Sequence, residues 1–149
     1  MRIRAKPLIW MIALAIASPA LADTPTTPAK ADPTAGILKP CAEGKDAAAR
    51  AVACTDVITG GKLNGQALAA AYLFRGNAQV DRQQFAAAID DFSKALALDG
   101  AATDALYNRA AAYAQLGRLD LAIEDYDHLL KIAPNDPDTL YNRAWLYSI

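Results

Sequence analysis

From Leu68 onward, apolar side chains recur every three or four positions and polar ones fill the gaps between them. That spacing marks one face of an α-helix, not the alternating face of a strand. Leu106, Ala110, Tyr113 and Ala114 form one such face, and Ala122, Ile123, Tyr126, Leu129 and Leu130 form the next. Thr103-Asp104 supplies a helix start, Gly117 a break, and Asp120 a second start. Pro134 and the following "NDP" end the second helix. The pattern predicts two helices between residues 103 and 136. An earlier pair runs from Leu68 to Val80 and from Gln84 to Leu98, closing at "DGAA", Asp99–Ala102.

The pairs are copies of one another. "LYNRA" stands at Leu106–Ala110 and again at Leu140–Ala144, 34 residues on. At that period Tyr72, Leu106 and Leu140 coincide, as do Arg75, Arg109 and Arg143, and Gly76, Ala110 and Ala144. In the second helices Ala88 matches Ala122, Ile89 matches Ile123, Phe92 matches Tyr126, and Leu96 matches Leu130. No insertion is needed from Ala69 to Ile149. Gly76 or Ala110 midway along a first helix, and Ala88 or Ala122 early in a second, let two antiparallel helices approach closely. Phe92 and Tyr126 then fill the space beside them. One pair cannot bury its apolar face alone, so pairs must stack. The expected fold is an all-α solenoid of helix-turn-helix units.

This pattern resembles the tetratricopeptide repeat. An aromatic or Leu, a small residue, Tyr, then Ala-x-x-x-aromatic and a closing Pro correspond to "LYNRAAAY…AIEDY…P". The resemblance implies two full repeats, 69–102 and 103–136, and the first helix of a third at 137–149. It also implies a degenerate half-repeat at 37–68, whose second helix, roughly Asp46–Ile58, caps the array. Arg75, Arg109 and Arg143 depart from the usual Leu, Gln79 from the usual Tyr, and Gly100 from the closing Pro. The "YNRA" variant is similar to repeats from bacterial cell-envelope proteins.

In this family the first helices line a binding groove. The groove positions fall on Ala70, Leu73, Asn77 and Val80, then on Asp104, Tyr107, Asn108 and Ala111, then on Asp138, Tyr141, Asn142 and Trp145. An Asn side chain offers a peptide backbone both a donor and an acceptor. Tyr107, Tyr141 and Trp145 offer flat contact area of the kind enriched at binding hot spots. Some relatives grip a terminal carboxylate with Lys and Arg beside such Asn residues. Here Asn77 and Asn108 match that arrangement, but the cationic positions hold Leu73, Asp138 and Asn142. The groove is therefore expected to suit an extended or helical protein segment of neutral or basic character. The arginines are assigned elsewhere: Asp91 and Asp125 follow Arg75 and Arg109 by 16 residues each. Arg75–Asp91 and Arg109–Asp125 are expected as structural ion pairs, bidentate where geometry allows. The alternative has the arginines facing the groove and binding an acidic ligand.

The N-terminus adds a destination. Arg2, Arg4 and Lys6 precede an apolar run from Leu8 to Ala17, and Ala20-Leu21-Ala22 follows with small residues around a bulky one. This is the layout of a secretory signal, residues 1–22. The run is shorter than the ~20 apolar residues of a membrane span. Residues 23–36, rich in Pro, Thr and Ala, carry no apolar period and are expected as a flexible spacer. Removal of the signal would take three of the 15 basic residues and none of the 16 acids, leaving a formal charge of −4. Such a balance argues against nucleic acid as a partner. In an exported chain two cysteines favour a disulfide, here Cys41–Cys54, stabilising by ~2–4 kcal/mol. Two buried free thiols are the alternative. With His128 alone to join the cysteines, a metal site is not expected, and no cofactor is called for. No nucleophile stands beside a base and no phosphate loop is present, so the chain is expected not to be an enzyme. The expected function is periplasmic binding of a protein or peptide segment, with no membrane span after cleavage. The alternative is a structural or truncated array that self-associates through its last helix.

Overall fold

A computed structural model describes residues 33–149. The signal segment 1–22 and most of the expected spacer lie outside the described residues. Seven helices follow in order: α1 (Pro33–Glu43), α2 (Ala47–Thr59), α3 (Gly65–Asp81), α4 (Phe85–Leu98), α5 (Thr103–Gln115), α6 (Leu119–Ile132) and α7 (Pro137–Leu146). No strand occurs among the described residues. Each helix packs on its neighbours in sequence, and α3 also touches α5.

The sequence explains where these helices start and stop. Asp46 caps α2 by accepting from the Ala49 amide at 2.8 Å, and Asp136 caps α7 by accepting from the Thr139 amide at 2.9 Å. Pro137 stands in the first turn of α7, where a missing N–H costs nothing. The α5–α6 turn reverses at Gly117, with φ +70°. The Arg118 amide then closes back on the Tyr113 carbonyl at 2.9 Å. The α3–α4 turn is its copy, with the Gln84 amide on the Gln79 carbonyl at 2.8 Å. There, however, the left-handed position belongs to Gln83, at φ +58°.

Packing follows the small-and-large scheme. A Cβ placed on Gly76 would come within 2.5 Å of the Phe92 ring. Glycine is therefore what lets α3 and α4 close. Ala110, Ala122, Tyr126 and Leu129 repeat the arrangement between α5 and α6 around fully buried Leu106. Burial of a Leu or Phe side chain contributes ~1.5–3 kcal/mol each. Ala105 and Ala112, on the other side of α5, join clusters with α4, so the core runs on from one pair to the next.

Several boundaries differ from the sequence expectation. Residues 33–36 are not spacer but the first turn of α1. Within the segment 37–68 the expected capping helix is present as α2, and α1 packs on it from the N-terminal side. Both Pro33 and Pro40 lie in α1. Pro40 removes one helical bond, but Cys41, the next residue, is fully buried against α2. Packing overrides the local breaker. Helix α3 begins at Gly65, ahead of the expected Leu68, and α6 begins at Leu119 with Asp120 inside its first turn.

Candidate functional site

Helices α3, α5 and α7 share one side of the stack, and open space lies between them there. A cavity of about 650 Å³ is lined by Asn77 and Val80 of α3, Asn108, Ala111 and Gln115 of α5, and Phe85 at the start of α4. A second, of about 320 Å³, lies between α5 and α7 around Tyr107, with Asp104, Asp136 and Asp138 on its walls. A third, of about 220 Å³, adds Asn142 and Trp145 to Tyr107 and Ala111.

The expected groove residues are thus distributed over three adjoining hollows. Asn77, Asn108 and Ala111 meet in the first, Asp104, Tyr107 and Asp138 in the second, and Asn142 and Trp145 in the third. Tyr141 lines none of them and is 72% exposed. Leu73 is turned inward, packed against the cores on both sides. The polar groups are not idle. Asn108 Nδ2 donates to Asn77 Oδ1 at 2.8 Å, and Asn142 Nδ2 donates to the Tyr107 hydroxyl at 2.7 Å. Each bond ties one repeat to the next. Tyr107 also meets the Tyr126 ring edge-on, centroids 5.8 Å apart. Burial and the neighbouring Tyr107 and Asp125 push the Tyr126 phenol up to about 12.

Phe85, Gln83 and Gln115 line the largest cavity and were not singled out from sequence. Their positions lie at helix ends and in the α3–α4 turn, outside the middle of the first helices. A half-buried aromatic opening a second helix was the available signal.

The arginines point the other way, into the seams between helices. Arg75 grips Asp91 with two bonds, Nε to Oδ2 at 2.7 Å and Nη2 to Oδ1 at 2.8 Å. Arg109 grips Asp125 alike, at 2.8 and 2.7 Å. The remaining nitrogen of each reaches back to the preceding pair: Arg75 Nη1 to Thr55 Oγ1 at 3.2 Å, Arg109 Nη1 to Ser93 Oγ at 2.9 Å. Asp91 and Asp125 are buried, whereas Asp90 and Glu124 face outward. The carboxylate bonds hold both guanidinium groups above their ordinary range despite the opposing effect of burial. Arg143 differs, donating through Nη1 to Asp127 at 2.6 Å.

Cys41 and Cys54 form a disulfide joining α1 to α2, with Cα atoms 4.6 Å apart. His128 is exposed on α6. Among the described residues no three His, Cys, Asp or Glu side chains gather as metal ligands, and no helix is long and apolar enough to cross a membrane.

Residues 73–137 match the family model described as tetratricopeptide repeat. No curated protein sequence matches the chain. Among solved structures, the OM64 TPR domain of Arabidopsis is 22% identical, with a TM-score of 0.67 over 76% of this chain and 93% of that one. The first TPR of Spaghetti (RPAP3), bound to the HSP90 peptide SRMEEVD, is 24% identical, with a TM-score of 0.63 over 68% and 78% of the two chains. The second TPR domain of human RPAP3, in complex with the HSP70 peptide SGPTIEEVD, is 24% identical, with a TM-score of 0.62 over 76% and 88%. At these identities the likeness is one of fold.

Proposed function

We propose that this chain is a tetratricopeptide-repeat protein that acts as a non-catalytic holder of a protein segment; the matching family model over residues 73–137 and the likeness of fold support that reading. The segment lies along the α3–α5–α7 side and is neutral or basic. The carrying observation is the second cavity, where Asp104, Asp136 and Asp138 surround Tyr107. Two structural neighbours hold peptides ending in EEVD. In this chain the positions that would meet such an acidic end are Leu73, Asp138 and Asn142. A carboxylate held next to Asp138 would be repelled, and a lysine or arginine attracted. Asn77, Asn108, Asn142 and Tyr107 then serve as exchangeable partners for a peptide backbone.

The proposed workplace is the periplasm. Its support is the basic start, short apolar run and Ala20-Leu21-Ala22 of the N-terminus, together with a disulfide of the kind that persists outside the cytosol. N-terminal sequencing of the secreted chain should begin at Asp23; an uncut Met1 would refute export by this route.

A photo-crosslinking residue at Gln115, inside the largest cavity, tests the groove directly in living cells, with His128 as control. Capture of one protein from Gln115 and not from His128 supports the holder and identifies the segment. Equal capture from both sites, or none, removes the groove from consideration.

A further inference from the structure

A cavity of about 290 Å³ opens between α2 and α3 and shares no lining residue with the three hollows of the groove. Ala51 and Thr55 of α2 and Arg75 and Gln79 of α3 form its walls. Exposed Val52 also lines it, so it is open to solvent. The next repeat shows why there is space here. Shifted by 34 residues, Ala51, Thr55 and Gln79 become Phe85, Ile89 and Tyr113. Those three bulky side chains pack in one cluster between α4 and α5. Arg109 lies over the Tyr113 ring, 5.9 Å from its centroid. Gln79 gives Arg75 no ring at that position. Between α2 and α3 the repeat thus carries smaller or more polar side chains, and a cavity stands where the next repeat has a phenol ring.

The polar groups around it are unequal. Arg75 holds Asp91 by two bonds and Thr55 by a third. Arg82 and Asp56 line the cavity too, both exposed and opposite in charge. Gln79 differs: its Oε1 is buried and has no hydrogen-bond partner among the described residues. An acceptor left in that state is destabilising. The last torsion of a glutamine is broad, so the oxygen can turn toward a donor that enters the cavity. We propose that this cavity binds a small neutral phenol, its ring in the place that Tyr113 fills in the next repeat and its hydroxyl donating to Gln79 Oε1. Size permits it, since a cavity of ~150 Å³ suffices for benzene. The opposite charges of Arg82 and Asp56 favour a neutral ligand over either ion, and the Arg75 guanidinium attracts a ring face. The site lies outside the groove, so it stands or falls independently of the segment proposed there.

The probe is p-cresol, the side chain of tyrosine alone, titrated into the isotope-labelled whole protein and followed by amide NMR shifts. Saturable shifts are expected around Ala51, Thr55 and Gln79, with half-saturation in the ~millimolar range or below. Toluene, the same shape without the hydroxyl, should bind about fivefold more weakly. Gln79→Tyr fills the cavity as the next repeat does; it should abolish the p-cresol shifts and raise the melting temperature. Gln79→Leu keeps the bulk and removes the acceptor, so p-cresol and toluene should bind it alike. Absence of saturation up to ~10 mM p-cresol would overturn the proposal. So would equal binding of toluene by the wild type, p-cresol shifts that survive Gln79→Tyr, or shifts centred on Asn77, Asn108 and Gln115 in the groove.

Discussion

Gln83 occupies a backbone conformation that its side chain disfavours. The same turn one repeat later uses Gly117. An L-residue other than Gly loses ~1–2 kcal/mol in the left-handed region. Gln83→Gly should therefore stabilise the protein, by about 1 kcal/mol after the greater freedom glycine gives the unfolded chain. Urea unfolding would show it as a higher midpoint with an unchanged slope. Tyr126 offers a second check at this scale. Its phenol is displaced to about 12 by burial, so the folded form holds its proton longer than the unfolded form. Stability from this group is whole below pH ~10. It is lost as the pH rises toward 12. Absorbance at alkaline pH should resolve a late tyrosine ionisation toward pH 12, and Tyr126→Phe should remove that late step.

At the scale of helices, the arginines bind partners that the sequence spacing already brought together. Asp91 and Asp125 stood at equal offsets from Arg75 and Arg109, and the structure forms those pairs with two bonds each. Arg109→Leu would leave Asp125 buried without its donors, costing about 3 kcal/mol. Asp125→Leu added to it should restore much of the loss, measured by melting. Other features were hidden in sequence for physical reasons. The Asn108–Asn77 and Asn142–Tyr107 bonds cross between repeats at separations of 31 and 35 residues. Neither separation equals the period, so alignment of the copies does not reveal them. Helix α1 was hidden behind Pro33, Gly36 and Pro40, because local propensity yields there to packing on α2. Asp136 sets the start of α7. Its bond with Thr139 lowers its carboxyl below the usual range, so that contribution is present above pH ~4 and disappears as acid protonates the folded form. Asp136→Ala should release the first turn of α7 and flatten that acid response, seen as faster amide exchange at Thr139.

For the molecule as a whole, the disulfide acts at one end of the array. It closes a short loop between Cys41 and Cys54, worth about 3 kcal/mol by chain entropy. Reduction should free α1 first and leave α3–α6 helical, since their cores contain neither cysteine. Hydrogen exchange before and after reduction would separate the two regions; uniform loss would contradict it. Fold was legible in this chain because one unit is written more than once, and each copy checks the others. The groove was legible only as positions. Whether Asn77 meets a ligand or Asn108 is decided by distances between copies, which a period does not encode.

The placement of Arg109 also governs how the array comes apart. Its guanidinium joins α5 to α6 through Asp125 and to α4 through Ser93. If α6 peeled away alone, that charge would lose its counter-ion while still wedged beside α4. If α4 loosened alone, the same knot would hold its far end. Neighbouring repeats are therefore interlocked, and the smallest step of disassembly is larger than a helix. Repeats interlocked in this way should then melt as one event, with no half-frayed population.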